Sequence, residues 1–185
     1  VRTFLAFDVE EHVRRRILEV TDRFRKIDPG IRWVKPDNMH VTLYFFGEVD
    51  ESRQSELEEV CRNSTRNIGP FSIRVQGVSG FPSVERARVL WYGIQNEGAE
   101  LNRMYESVRR KLRESDIVDR IENRPYAPHL TVGRVKRGMN RALIEEISRS
   151  AQTGFGDSRV SELVLYKSTL GSRGPIYDAL SEFSL

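Results

Sequence analysis

The chain of 185 residues contains a single cysteine, Cys61. One thiol can form no intrachain disulfide framework and no cysteine-based zinc site. Lysine is also scarce, with 5 against 25 arginines. No apolar run approaches the roughly 18–20 residues of a membrane span. The opening residues Val1–Asp8 read as a strand that meets acidic residues at once, unlike a secretion signal, so a cytoplasmic location is expected. There is no G-x-x-x-x-G-K-[ST] loop and no G-x-S-x-G elbow, so neither ATP-driven chemistry nor a serine hydrolase is supported. Net charge is small as well: 30 basic against 27 acidic residues leave +3. That excludes a histone-like binder held on nucleic acid by bulk charge.

What is present suits a packed domain. Hydrophobic residues make up 38% and charged residues 31%, so a core is within reach and wholesale disorder is not expected. Val13, Ile17, Val20, Phe24 and Ile27 recur at spacings of 4, 3, 4 and 3, which marks one buried stripe of a helix over 11–27. Further helices are expected over 51–67, 99–115 and 140–151. Strands are expected around 3–9, 31–34, 39–46, 71–79, 88–95, 129–135, 160–167 and 176–184. Shifting the first-half elements by 89 residues brings them onto those of the second half, and Pro36, His40 and Thr42 land on Pro125, His129 and Thr131. The expected architecture is therefore α+β. It is one bilobal domain over 1–185, made of two intertwined pseudo-repeats at about 10–96 and 99–185. Each lobe carries an antiparallel sheet with helices on its outer face.

The repeat points to the chemistry. His40-Val41-Thr42 and His129-Leu130-Thr131 both lie in short β-prone runs. Residues i and i+2 of a strand share a face. Each lobe thus offers one imidazole and one hydroxyl on an anchored strand, with Val41, Leu43 and Phe45 in the first and Leu130 and Val132 in the second turned inward by the same alternation. Only 7 of 185 residues are threonine, so chance puts Thr two places after a given His in roughly 4% of cases. Two of the three histidines doing so is a specific signal. Two imidazoles can act as acid and base in one turnover. Hydroxyls can steady the charge on a phosphoryl group without adding charge of their own. No metal or other cofactor is required by that scheme, and neither histidine has acidic or cysteine ligands at metal spacing.

The paired His-x-Thr motifs resemble those of the two-histidine (2H) phosphoesterase superfamily. Further runs look like its RNA 2′,3′-cyclic phosphodiesterase branch, also called 2′–5′ RNA ligase. They are Arg2 to Phe7, His40 to Val49, Phe81-Pro82 with Val89-Leu90-Trp91, Pro128 to Arg134, and Leu165 to Ser168 with Gly174 and Tyr177. The resemblance implies two lobes whose motifs face each other across a central cleft. It implies hydrolysis of RNA 2′,3′-cyclic phosphate ends to 2′-phosphates, tRNA fragments being one substrate class, with 2′–5′ joining as the reverse reaction. By the same resemblance His40 is the general acid, His129 the general base, and Thr42, Thr131 and Arg134 hold phosphate. Phe45 would contact the nucleotide. A monomer is expected.

Two of these assignments conflict with strand geometry. Phe45 and Arg134 each lie five residues after a histidine, so an unbroken strand would point them away from the cleft. A bulge at Gly133 could re-aim Arg134, whereas core packing is an equal reading for Phe45. Tyr44 shares the parity of His40 and Thr42 and is a cleft candidate, with Tyr126 a weaker one. Arg86, Arg88 and Arg173 could form the cleft rim or belong to ordinary surface loops. His12 and Arg14, Arg15 and Arg16 read as a solvated helix face. Trp33 and Trp91 read as core. The competing functions are a 2H enzyme acting on a different cyclic phosphate or RNA 3′ end, and an RNA-end binder without catalysis.

Overall fold

A computed structural model describes residues 1–172 and 174–185. Helix α1 (Glu11–Ile27) buries Val13, Ile17, Val20, Thr21 and Phe24, the stripe that the spacing predicts. It stops where the Asp28 N–H bonds to the Phe24 carbonyl, just ahead of Pro29-Gly30. Helix α3 (Glu100–Arg113) likewise buries Leu101, Met104, Tyr105, Val108 and Leu112. Helix α2 (Gln54–Thr65) turns Leu57, Val60, Cys61 and Ser64 inward. Helix α4 (Arg141–Arg149) is capped by Asn140, whose side chain accepts the Leu143 N–H at 2.8 Å.

The strands are β1 (Arg2–Phe7), β2 (Arg32–Trp33), β3 (Val41–Glu48), β4 (Phe71–Phe81), β5 (Val89–Gln95), β6 (His129–Arg134), β7 (Gly154–Val160), β8 (Glu162–Gly171) and β9 (Gly174–Ser184). They form one nine-stranded sheet in the order β7-β4-β5-β6-β3-β1-β8-β9, with β2 paired to β6. Every pairing is antiparallel. The two lobes are thus halves of one continuous sheet rather than separate sheets. Helices α1 and α4 pack on the half holding β4 and β7, and α2 and α3 on the half holding β3 and β9. The half holding β3 joins strands from both ends of the sequence (β1, β3, β8 and β9), whereas the other half takes β2 and the central strands β4 to β7.

The seam between the halves is narrow. Strands β3 and β6 meet through the single pair Val41 and Leu130, both fully buried. The sequence motifs flank this pair.

Strand β7 lies in a segment that the periodicity leaves unassigned. Its buried residues are Phe155, Ser158 and Val160, so the alternation breaks after Phe155. The break is a register shift against β4 beside Gly156, whose φ of +114° is open to glycine but strained for other residues.

Candidate active site

Because Val41 and Leu130 point into the core, the neighbours on either side point the opposite way. His40, Thr42, His129 and Thr131 accordingly line one cavity of about 560 Å³. The two motifs, distant in sequence, become one site at the seam.

Phe45 and Arg134 also line this cavity, and the register shows how. Ala6 pairs with Thr42 and Leu5 with Tyr44, so Leu43 is an extra residue in β3. Trp91 pairs with Thr131 and Leu90 with Gly133, so Val132 is an extra residue in β6. Each bulge inverts the parity of the residues after it. Leu43 and Tyr44 are both buried while Phe45 is 49% exposed. Val132 and Gly133 are buried and Arg134 is exposed. Leu43 and Val132 are themselves 89 residues apart, so the bulge keeps the same offset as the histidines. Arg134 therefore reaches the cavity by the bulge that Gly133 suggests, and Phe45 is a cavity residue rather than a core one.

The same bulge moves Tyr44 out of the site. Tyr44 is 2% exposed and packs between Phe46 and Tyr105, and its hydroxyl accepts the Glu122 N–H at 3.2 Å. Tyr126 lies behind β3. It stacks on Tyr105 and donates its hydroxyl to the Thr42 carbonyl at 2.9 Å, bracing the strand that carries the first motif. Arg86 and Arg88 are exposed and do not line the cavity. Arg173 lies outside the described residues. Trp33 has one edge on the cavity, while its indole N–H bonds to the Asp28 carbonyl and its ring faces Phe24. Trp91 is half-buried against Phe81, beside His129.

The two histidines stand in different surroundings. His40 is stacked on Phe4 with centroids 4.8 Å apart, and the Tyr177 ring meets it edge-on at 5.2 Å. Burial in this aromatic wall disfavours the imidazolium, and the nearby Arg14 adds repulsion; contact with the Asn38 backbone offsets part of the effect. The His40 pKa falls from 6.5 to about 4. His129 is held differently: its Nδ1 lies 2.7 Å from the Ala127 carbonyl. A carbonyl can only accept, so Nδ1 carries the proton. Nε2 of the neutral ring is then a free lone pair, the form that a general base needs.

The sequence groups Arg14 with the solvated helix face, and the fold assigns it otherwise. Its guanidinium donates to the Pro36 carbonyl at 2.9 Å and the Met39 carbonyl at 3.5 Å, and it lies 3.6 Å from Asp8. It ties α1 to the segment that delivers His40. Nothing in the helical stripe separates Arg14 from the exposed Arg15, because the partner carbonyls are distant in sequence. Tyr177 belongs to the runs that carry the family resemblance, but its contact with His40 is visible only in the fold. His12 is exposed, as its place on the helix predicts.

The His40 environment makes stability depend on pH. A histidine whose pKa is lower in the folded than in the unfolded chain makes the unfolded chain bind more protons between those two values. His40 therefore contributes stability that is complete above about pH 6.5 and lost as pH falls towards 4. NMR titration of the His40 ring should show a midpoint near 4 in the free protein and an upward move when inorganic phosphate fills the cavity. A midpoint that stays near 6.5 would show that the aromatic wall does not disfavour the His40 imidazolium.

Among the described residues, no group of three His, Cys, Asp or Glu side chains is placed to hold a metal ion, and no helix is long and apolar enough to cross a membrane.

The pattern of residues matches a known family model. The model of the LigT-like phosphoesterases fits residues 7–91 and again 93–177, so the two matches together take in nearly all of the chain. The chain belongs to the LigT-like phosphoesterase family. This LigT-like phosphoesterase is 37% identical over 190 residues to the RNA 2′,3′-cyclic phosphodiesterase of Methanothermobacter thermautotrophicus, covering 100% of this chain and 99% of the relative. It is 37% identical over 185 residues to the Thermotoga maritima protein of the same name, covering 98% and 94% of the two chains. Among solved structures, it superposes on a Thermus thermophilus protein with a TM-score of 0.85 at 29% identity, covering 100% and 98% of the two chains. Escherichia coli LigT complexed with 3′-AMP shares the fold, with a TM-score of 0.76 at 22% identity and 100% and 97% coverage.

Proposed function

We propose that this protein hydrolyses the 2′,3′-cyclic phosphate at the end of an RNA to a 2′-phosphate, without a metal ion. The observation that carries this reading is the meeting of two imidazoles and two threonine hydroxyls around one cavity. Relatives of the same length that carry the cyclic phosphodiesterase name support it.

In this mechanism His129 takes a proton from water through Nε2, and the water oxygen bonds to phosphorus. The bond from phosphorus to the ribose 3′ oxygen breaks, and His40 gives that oxygen a proton. The phosphate stays on the 2′ oxygen. Thr42 and Thr131 donate hydrogen bonds to the phosphoryl oxygens as negative charge builds there. Arg134 adds a charge-assisted fork. His40 is neutral near pH 7 in the free protein. The phosphodiester anion supplies the opposite charge that restores its proton. Phe45 offers an exposed ring for the base, with the Arg2 guanidinium 5.4 Å from its centroid. With an RNA 5′-hydroxyl in place of water, the same transfers yield a 2′–5′ linkage. The E. coli LigT structure with 3′-AMP shows a member of this fold holding a nucleoside phosphate.

The test is incubation of an RNA oligonucleotide ending in a 2′,3′-cyclic phosphate with the protein in excess chelator. The expected product is the 2′-monophosphate end, formed at the rate seen without chelator. A 3′-monophosphate product, or loss of turnover in chelator, would overturn the proposal.

A further inference from the structure

Among the described residues, the charged side chains lining the cavity are Arg2, Arg32, Lys35 and Arg134, with no carboxylate among them. Arg134 has a role on the reacting phosphate and Arg2 lies over Phe45. Arg32 and Lys35 have no part in that chemistry. Arg32 stands directly opposite Arg134 in the β2–β6 pair. Like charges facing each other across strands repel. Among the described residues, Arg32, Lys35 and Arg134 form no salt bridge.

The backbone holds this unneutralised pair in place. Strand β2 has only two residues. It stays on β6 because Trp33 pairs with Gly133 and the Val34 N–H bonds to the Val132 carbonyl at 2.9 Å. A Cβ on Gly133 would come within 3.1 Å of Ile31 and 3.2 Å of Trp33, so the missing side chain is what lets this segment lie so close. The glycine that lets β2 lie against β6 therefore also seats Arg32 beside Arg134. Lys35 comes three residues later, at the same mouth of the cavity.

We infer that Arg32 and Lys35 form a second phosphate subsite, for the phosphodiester on the 5′ oxygen of the terminal ribose. The inference rests on the proposed hydrolysis of RNA ends and names the form of substrate that the site prefers. A terminal nucleotide within a chain carries two phosphates, the cyclic one and the link to its 5′ neighbour. Arg134 is three residues from Thr131, at most about 10 Å at the usual strand rise, and long arginine and lysine side chains shorten the gap further. The fork of Arg32 and the point charge of Lys35 suit a phosphodiester oxygen pair. Such a subsite separates a polymer end from a free mononucleoside cyclic phosphate.

Binding tests this independently of turnover. The wild-type protein should bind adenosine 2′,5′-bisphosphate at least 10-fold more tightly than adenosine 2′-monophosphate, the low end of what one or two charge-assisted bonds supply. The double variant Arg32→Ala/Lys35→Ala should lose that preference while binding the monophosphate within about twofold of wild type. Both side chains are exposed, so the core is untouched. In turnover, the double variant should lose about 10-fold in kcat/KM on a dinucleotide ending in a cyclic phosphate and keep its rate on a mononucleoside 2′,3′-cyclic phosphate. A preference that survives in the variant, or an equal loss on both ligands, would overturn the subsite. Should the wild-type protein hydrolyse neither substrate, the hydrolytic reading falls, and the bisphosphate comparison still decides the subsite.

Discussion

Replacing either cavity histidine should almost abolish turnover while leaving the protein folded. His40→Ala and His129→Ala are each expected to cut cyclic-phosphate hydrolysis by roughly 100-fold or more, the usual contribution of a positioned proton-transfer group. The fold should survive because both rings line an open cavity, so truncation leaves no sealed void. His40→Ala should also lose the fall in stability between about pH 6.5 and 4 that the buried imidazole causes. Steady-state rates with circular dichroism on the same samples check both halves of the expectation. Near-wild-type turnover in either variant would remove the paired acid–base mechanism.

The next largest effect is expected at the threonines. Thr42→Val and Thr131→Val keep the branched shape that suits a strand and delete only the hydroxyl. Losing one donor to a developing oxyanion costs about 100- to 1,000-fold in the best-studied cases. Each Val variant should approach the lower figure in kcat, with a smaller change in KM. Thr→Ser at the same positions retains the donor and should stay within about tenfold of wild type. If Val and Ser variants fall together, the threonines act through packing and not through the hydroxyl. Thr42 has a second duty that these variants preserve, since it is its backbone carbonyl that takes the Tyr126 hydroxyl.

How far the sequence foretells this site depends on which forces are local. Helices α1 and α3 are legible within about two residues, because one apolar stripe decides each. The histidine and threonine pairs are legible because their two-residue spacing is a property of the strand itself. Tyr44 and Phe45 are not separable in the same way. Their directions depend on one extra residue, Leu43, opposite β1. No glycine marks that bulge, whereas Gly133 marks its counterpart in β6. Strand β7 is hidden for a related reason: its bulge beside Gly156 breaks the alternation that reveals strands. The joining of both halves into one sheet through Val41 and Leu130 is a non-local pairing, and only the folded chain displays it. Arg14 shows the same limit, since its stripe position is solvent-like and its partners lie 22 and 25 residues away.

The most direct test of the paired mechanism replaces the 3′ bridging oxygen of the cyclic phosphate with sulfur. A thiolate departs without a proton, so the substrate no longer needs the general acid. His40→Ala should then hydrolyse the sulfur substrate within about tenfold of wild type, while His129→Ala remains 100-fold or more below it. Rescue of His129→Ala would reverse the two roles, and rescue of neither variant would contradict acid catalysis at the leaving oxygen.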